Sequence, residues 1–195
     1  VEGRVGTFVP VTYPSAWTRY RKSVLPETVS PQIGTAINRF AARYRFAASF
    51  RGLDVTGIAQ RTVDGYAQGL RLTLAYSALE GAEKFAGKST QILEVRAAAA
   101  LRADEPLMVL VLEEEQLGRS LEKRLRGFHE DPSDQDIRPV VERIRHLVAH
   151  GAFTPHAAGL SDSVRRTRLF DLMSLATLAS ADEAFSQWFD RQVRG

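Results

Sequence analysis

The chain has 195 residues, of which 44% are hydrophobic and 25% charged, with a formal charge of +3 and a pI near 9.4. This balance excludes an intrinsically disordered chain, and no apolar run nears the roughly 18 residues that cross a bilayer. Cysteine is absent, which excludes disulfides, thiolate nucleophiles and thiolate metal sites and makes a cytoplasmic location the default expectation.

The opening Val1-Glu2-Gly3-Arg4 has no signal-peptide pattern. Residues 1–29 are the least regular stretch and are expected to form an N-terminal arm. Within it Val5 to Tyr13 holds strand-forming residues around Pro10, and Ser15 is placed to cap a short helix through Ser23. Residues 30–195 are expected to form a single helical domain. Ser30-Pro31 combines a capping side chain with a proline suited to the first turn. Behind it Ile33, Ile37, Phe40, Ala41, Tyr44 and Ala48 recur at mostly three- and four-residue steps up to Gly52, which marks an amphipathic helix.

A second helix is expected from a cap at Asp54 to about Glu83. Its inward stripe would be Ile58, Val63, Tyr66, Ala67, Leu70, Leu74, Ala78 and Leu79. Gly57, Gly65 and Gly69 each cost about 1 kcal/mol relative to alanine in a helix, a cost that close backbone packing would explain. Gly87-Lys88-Ser89-Thr90 has the tail of a phosphate-binding loop. The glycine that such a loop needs five places earlier is Ala82, so a helix break with Thr90 as the next cap is expected instead.

Further helices are expected over about 91–102, from Pro106 to about Arg126, over 137–150 behind a cap at Asp136, and from Ser161 to Arg191. In the 106–126 segment Leu107, Leu110, Val111, Leu117 and Leu121 would face inward, and Glu115, Arg119 and Lys123 would form a solvated charged side. The expected fold is therefore all-α, an up-and-down bundle of about six helices with an irregular N-terminal arm. Trp17 and Trp188 are read as packing residues.

Arginine supplies all but four of the 26 basic residues, the lysines being Lys22, Lys84, Lys88 and Lys123. This bias fits bidentate phosphate contact. It fits equally a GC-rich coding sequence, which also favours the abundant alanine.

The chemistry concentrates in Arg145-His146-Leu147-Val148-Ala149-His150-Gly151, followed by Phe153-Thr154-Pro155. It joins a permanent cation to two imidazoles that titrate near neutrality, beside a glycine stop. The bare arginine–histidine spacing occurs a second time, at Arg124 and His129. What sets Arg145 and His150 apart is polar His146 after the arginine, small Ala149 before the histidine and Gly151 after it. On an ideal helix side chains five positions apart diverge by about 140°. Convergence on one ligand would need a loosened last turn or a second subunit. A competing reading leaves His150 as a helix-dipole partner and pairs Arg145 with Glu142 or another surface carboxylate. Glu80 is a candidate brace for Arg145.

This string resembles the HEPN superfamily, all-α domains with an R-x4–6-H signature at the end of a core helix. The preceding Leu70-x-Leu72-x-Leu74-Ala75-Tyr76-Ser77-Ala78-Leu79-Glu80 and the long terminal helix agree with it. The resemblance covers about residues 54–194. It implies a metal-independent endoribonuclease that needs no cofactor and acts as a homodimer on RNA. His150 would be the general acid or base for attack of the ribose 2′-OH on the adjacent phosphorus. Arg145 would stabilise the phosphoryl charge, and His146 would support Arg145 or the substrate. The resemblance also raises a toxin or defence effector with an antitoxin or nucleotidyltransferase-like partner protein. Non-catalytic members, which bind RNA, nucleotides or proteins, are the alternative.

Arg165 and Arg166, in the run Ser163 to Arg168, are candidate phosphate contacts, against the reading of that run as solvated surface. His146, His150 and His156 could in principle ligate a metal, but no flanking carboxylates accompany them and no metal is expected.

Overall fold

The computed structural model describes residues 13–113, 118–151 and 163–194. Among them are nine helices and no strand: α1 (Trp17–Lys22), α2 (Leu25–Thr28), α3 (Pro31–Ser49), α4 (Gln60–Ala86), α5 (Val95–Arg102), α6 (Glu105–Leu112), α7 (Arg119–Glu130), α8 (Arg138–Ala149) and α9 (Ser163–Arg194). The all-α bundle expected from apolar periodicity is thus present, with nine helices rather than about six. Two of the additional helices lie in the N-terminal arm: α1 is the short helix expected there to end at Ser23, and α2 is unexpected. The third arises because α6 and α7 occupy the stretch expected to be one helix from Pro106 to Arg126.

Helix α4 lies at the centre and packs on α3, α8 and α9. Helices α3 and α8 run antiparallel to it, whereas α9 runs parallel: Arg71 meets Asp171 toward one end and Lys88 meets Gln187 at the other. Gly81 of α4 abuts Phe40 of α3, and the Arg43 guanidinium reaches the Ser77 carbonyl one turn further along. On the α8 side Glu83 meets Arg138 at one end and Gly69 meets Val148 at the other. A Cβ on Gly69 would lie 3.0 Å from a Val148 methyl group, so the glycine permits the close α4–α8 approach. The expected packing role holds at Gly69. Gly57, by contrast, precedes the helix and turns the chain at φ +79°.

The start of α4 also differs from expectation. Asp54 does not cap it; the N-cap is Ala59, whose side chain makes no capping bond. Ile58 and Tyr66 are 52% and 44% exposed instead of buried. Ile58 precedes the helix, and Tyr66 lies one turn before Gly69, which already meets the last turn of α8, so Tyr66 faces past that helix's end while Val63 and Ala67 of the same turns stay buried.

The described part of the arm joins the core. Ala16 and Tyr20 are buried, and the Tyr20 ring contacts Phe185, Trp188 and Phe189 of α9. Ser15 does not cap α1. Its backbone N–H and hydroxyl both donate to Asp182 of α9, at 2.8 and 3.0 Å. Phe40, Phe85, Phe185 and Trp188 complete an aromatic junction of α3, α4 and α9. Trp188 and Trp17 are both packing residues as expected: Trp188 is buried, and half-buried Trp17 packs on Tyr20 and Phe185 and stacks flat on Tyr13.

Gly87, at φ +70°, terminates α4, and Lys88 donates to Gln187, so the apparent phosphate-loop tail is a helix stop. The next cap is Glu94, not Thr90, and it accepts from the Ala97 backbone N–H. An antiparallel bridge between Leu93 and Asp136 then ties this connection to the start of α8. Asp136 precedes α8 by two residues and accepts from the backbone N–H groups of Arg138 (3.0 Å) and Ile92 (2.9 Å), so it orients the helix from outside the N-cap position, which Ile137 occupies.

Candidate active site at the end of helix α8

Helix α8 buries Val140, Val141, Ile144 and Leu147. That stripe sets the direction of the polar residues between them. Its last turn closes with the His150 N–H donating to the His146 carbonyl at 3.0 Å. Gly151 follows in the left-handed region at φ +69°, the C-terminal stop read from the sequence.

Arg145 lies against α4. Its guanidinium sits 5.3 Å from the centre of the Tyr76 ring and 3.7 Å from a Glu80 carboxylate oxygen, and its side chain is 28% exposed. Its Nη2 donates to His146 Nε2 at 3.0 Å. The guanidinium has only donors, so the imidazole nitrogen must accept. His146 is therefore neutral, with its proton on Nδ1. Burial, and then the adjacent Arg145 charge, pushes its pKa below the usual histidine value, in agreement with that state. His150 is exposed in the helix cap.

The floor of the site is a second arginine–carboxylate clamp. Arg138, two turns before Arg145, contacts both Glu83 carboxylate oxygens and the Thr90 carbonyl, and its guanidinium lies 5.7 Å from the same Tyr76 ring. The Glu83 bond holds the Arg138 charge firmly, above its ordinary pKa. Tyr76, 2% exposed between the two arginines, has its phenol pushed up to about 12, first by burial. It serves as an aromatic floor for cations and not as an acid near neutral pH.

Glu142 is not the partner of Arg145: it accepts from Arg124 at 2.8 Å. The decoy arginine of the second spacing is thus consumed in an ion pair between α7 and α8, and His129 is exposed at the end of α7. The candidate brace Glu80 stands where Arg145 points.

Arg166 has a different neighbour from the one expected. Its Nε and Nη2 donate to the two carboxylate oxygens of Asp104, both at 2.9 Å, with side-chain exposures of 13% and 7%. A guanidinium clamped this way anchors α9 to the α5–α6 junction and is not presented to a phosphate. Arg165 is exposed at the preceding position of α9. His156 and Thr154-Pro155 lie outside the described residues. Among the described residues no three His, Asp or Glu side chains gather as metal ligands, and no helix is long and apolar enough to cross a membrane.

Sequence reasoning missed Arg138, Glu83 and the role of Tyr76. The signal for Tyr76 was present, as an aromatic one turn before Glu80. That for Arg138 was not, because its partners lie 55 and 48 positions away. The chain matches no protein-family model, and neither curated proteins nor solved structures give a match.

Proposed function

We propose that the chain is a HEPN-type, metal-independent endoribonuclease, with Arg145 and His150 as its catalytic pair. One observation carries the reading: at the end of α8 the Arg145 guanidinium is held by His146, Glu80 and Tyr76, while His150 is exposed one turn away. A pre-positioned cation beside an accessible imidazole suits attack of a ribose 2′-OH on the neighbouring phosphorus. In that reaction the 2′-oxygen bonds to phosphorus, the bond to the 5′-oxygen breaks, and a 2′,3′-cyclic phosphate and a 5′-hydroxyl result. His150 would move the proton, and Arg145 would stabilise charge on the non-bridging oxygens. His146, neutral and accepting, orients Arg145.

No bond joins Arg145 to His150 within the chain, and a homodimer in which each subunit faces the other's helix end would complete the site. Incubation with RNA in EDTA tests the reading. Cleavage in EDTA is expected, and Arg145→Ala or His150→Ala should each slow it by about 10²-fold or more. No cleavage by the unmodified protein, or cleavage by both variants at its rate, refutes it.

The engagement of Arg145 by its own chain favours one alternative, a non-catalytic HEPN-like module that binds RNA, a nucleotide or a partner protein such as an antitoxin or a nucleotidyltransferase-like protein. In that case binding should survive His150→Ala and no RNA turnover should accompany it.

A further inference from the structure

Charge is distributed unevenly along this chain. Residues 13–53 carry seven Lys or Arg (Arg19, Arg21, Lys22, Arg39, Arg43, Arg45, Arg51) against the single carboxylate Glu27. Residues 54–195 carry eighteen Lys or Arg against twenty-one Asp or Glu. The net positive charge therefore resides in α1 to α3, outside the part that resembles HEPN.

Helix α3 contains no acidic residue. Its buried side is apolar, through Ile37, Phe40, Tyr44 and Ala48. Its outward side spans about 140° of arc at 100° per residue, with Arg39 near one flank, Arg45 at the other and Phe46 between them. All three are exposed, Phe46 to 60%. Arg45 is not loose: its guanidinium lies 4.4 Å from the centre of the Tyr13 ring, which stacks flat on Trp17 at 5.6 Å. Arg19 on α1 is paired with Asp190, and Arg43 reaches the Ser77 carbonyl, so these two contribute less to the open charge.

A lone exposed phenylalanine is ordinary on a protein surface. Phenylalanine between two exposed arginines, on a helix without carboxylates, matches the two needs of a single nucleic-acid strand: cations along the backbone and a flat ring for a base. We propose that the outward face of α3 is a docking track for single-stranded RNA, in which Arg39 and Arg45 contact phosphates and Phe46 stacks a base. This rests on the reading of the chain as an RNA-acting protein. Placement supports it, because α3 and α8 both run antiparallel to α4, and their C-terminal ends lie toward the same end of the bundle. A strand on Arg45 and Phe46 would thus lead toward Arg145 and His150. An anionic membrane fits less well, since the face also presents Thr35, Asn38 and Ser49 where an interfacial helix needs a continuous apolar stripe.

The test uses the His150→Ala protein, so that RNA is not consumed, and a labelled oligouridine of about 16 nucleotides in EDTA. Anisotropy is followed as salt rises. Arg39→Ala with Arg45→Ala should weaken binding about tenfold and flatten the slope of log K against log salt by about 1.4. Phe46→Ala should weaken it about fivefold or more, and Lys123→Ala, on α7, should leave it unchanged. With His150 restored, the arginine double variant should cleave a dinucleotide at the wild-type rate and the long oligonucleotide more slowly. Unchanged affinity and slope in the double variant overturn the proposal and leave the nuclease reading standing. Binding to phosphatidylserine vesicles without binding to oligouridine overturns it as well. Oligouridine binding through this face, with no cleavage by the wild-type protein, supports the track and refutes the nuclease reading.

Discussion

Arg166→Ala separates a structural arginine from a phosphate-binding one. Asp104, whose side chain is 7% exposed in the intact protein, loses the guanidinium that faced both of its oxygens at 2.9 Å. Asp104 retains a capping bond from the Leu107 N–H at 3.3 Å, which satisfies one lone pair of one oxygen. Removing one partner of a buried ion pair costs about 3–5 kcal/mol, because the other charge stays buried. The remaining cap bond and some residual exposure put the expected loss at the lower end, about 3 kcal/mol. With a urea slope of about 2 kcal/mol per molar, the unfolding midpoint should fall by about 1.5 M. Circular dichroism at rising urea measures this. Replacing both residues by leucine should recover most of the loss, since the desolvation cost of both charges is removed together. A midpoint unchanged in Arg166→Ala, with RNA affinity reduced, would refute the reasoning and return Arg166 to the role of a phosphate contact.

Three further outcomes follow from the site. His146 should titrate below the ordinary histidine value of about 6.5, with its proton on Nδ1, in an NMR titration of the ring. Because its folded pKa is depressed, protonation favours the unfolded chain: stability from this group is full above about pH 6.5 and falls as pH drops through the folded value. A midpoint at or above 6.5 contradicts the Arg145–His146 hydrogen bond. Glu80→Ala should move folding stability by less than about 1 kcal/mol, since the pair is partly exposed, while RNA cleavage falls about tenfold with KM little changed; urea unfolding and steady-state kinetics read the two effects separately. Gly69→Leu should destabilise by about 1–3 kcal/mol through overpacking against Val148, and Val148→Ala should restore part of that loss in a double-mutant cycle.

Helix content was legible in the sequence because periodicity is local. Ile37, Phe40, Tyr44 and Ala48 repeat at helical steps whatever lies opposite them, and all are buried. The errors fell at places where a distant segment decides. Tyr66 keeps the α4 period yet is exposed, because α8 ends near Gly69. Tyr20 lies in a stretch that looked irregular yet is buried, because α9 offers it an aromatic surface.

The sequence by itself determined the all-α class, the end of α8 at Gly151 and the nomination of Arg145, His146 and His150. Each depends on backbone preferences or residue chemistry within a few positions. Only the tertiary structure decided what four of the described arginines do. Arg124 went to Glu142, Arg138 to Glu83, Arg166 to Asp104, and Arg145 to Tyr76, Glu80 and His146. An arginine carries the same charge and the same fork of donors wherever it stands in a chain. Its partner is whichever carboxylate, carbonyl or ring the packing of helices brings within about 3–6 Å.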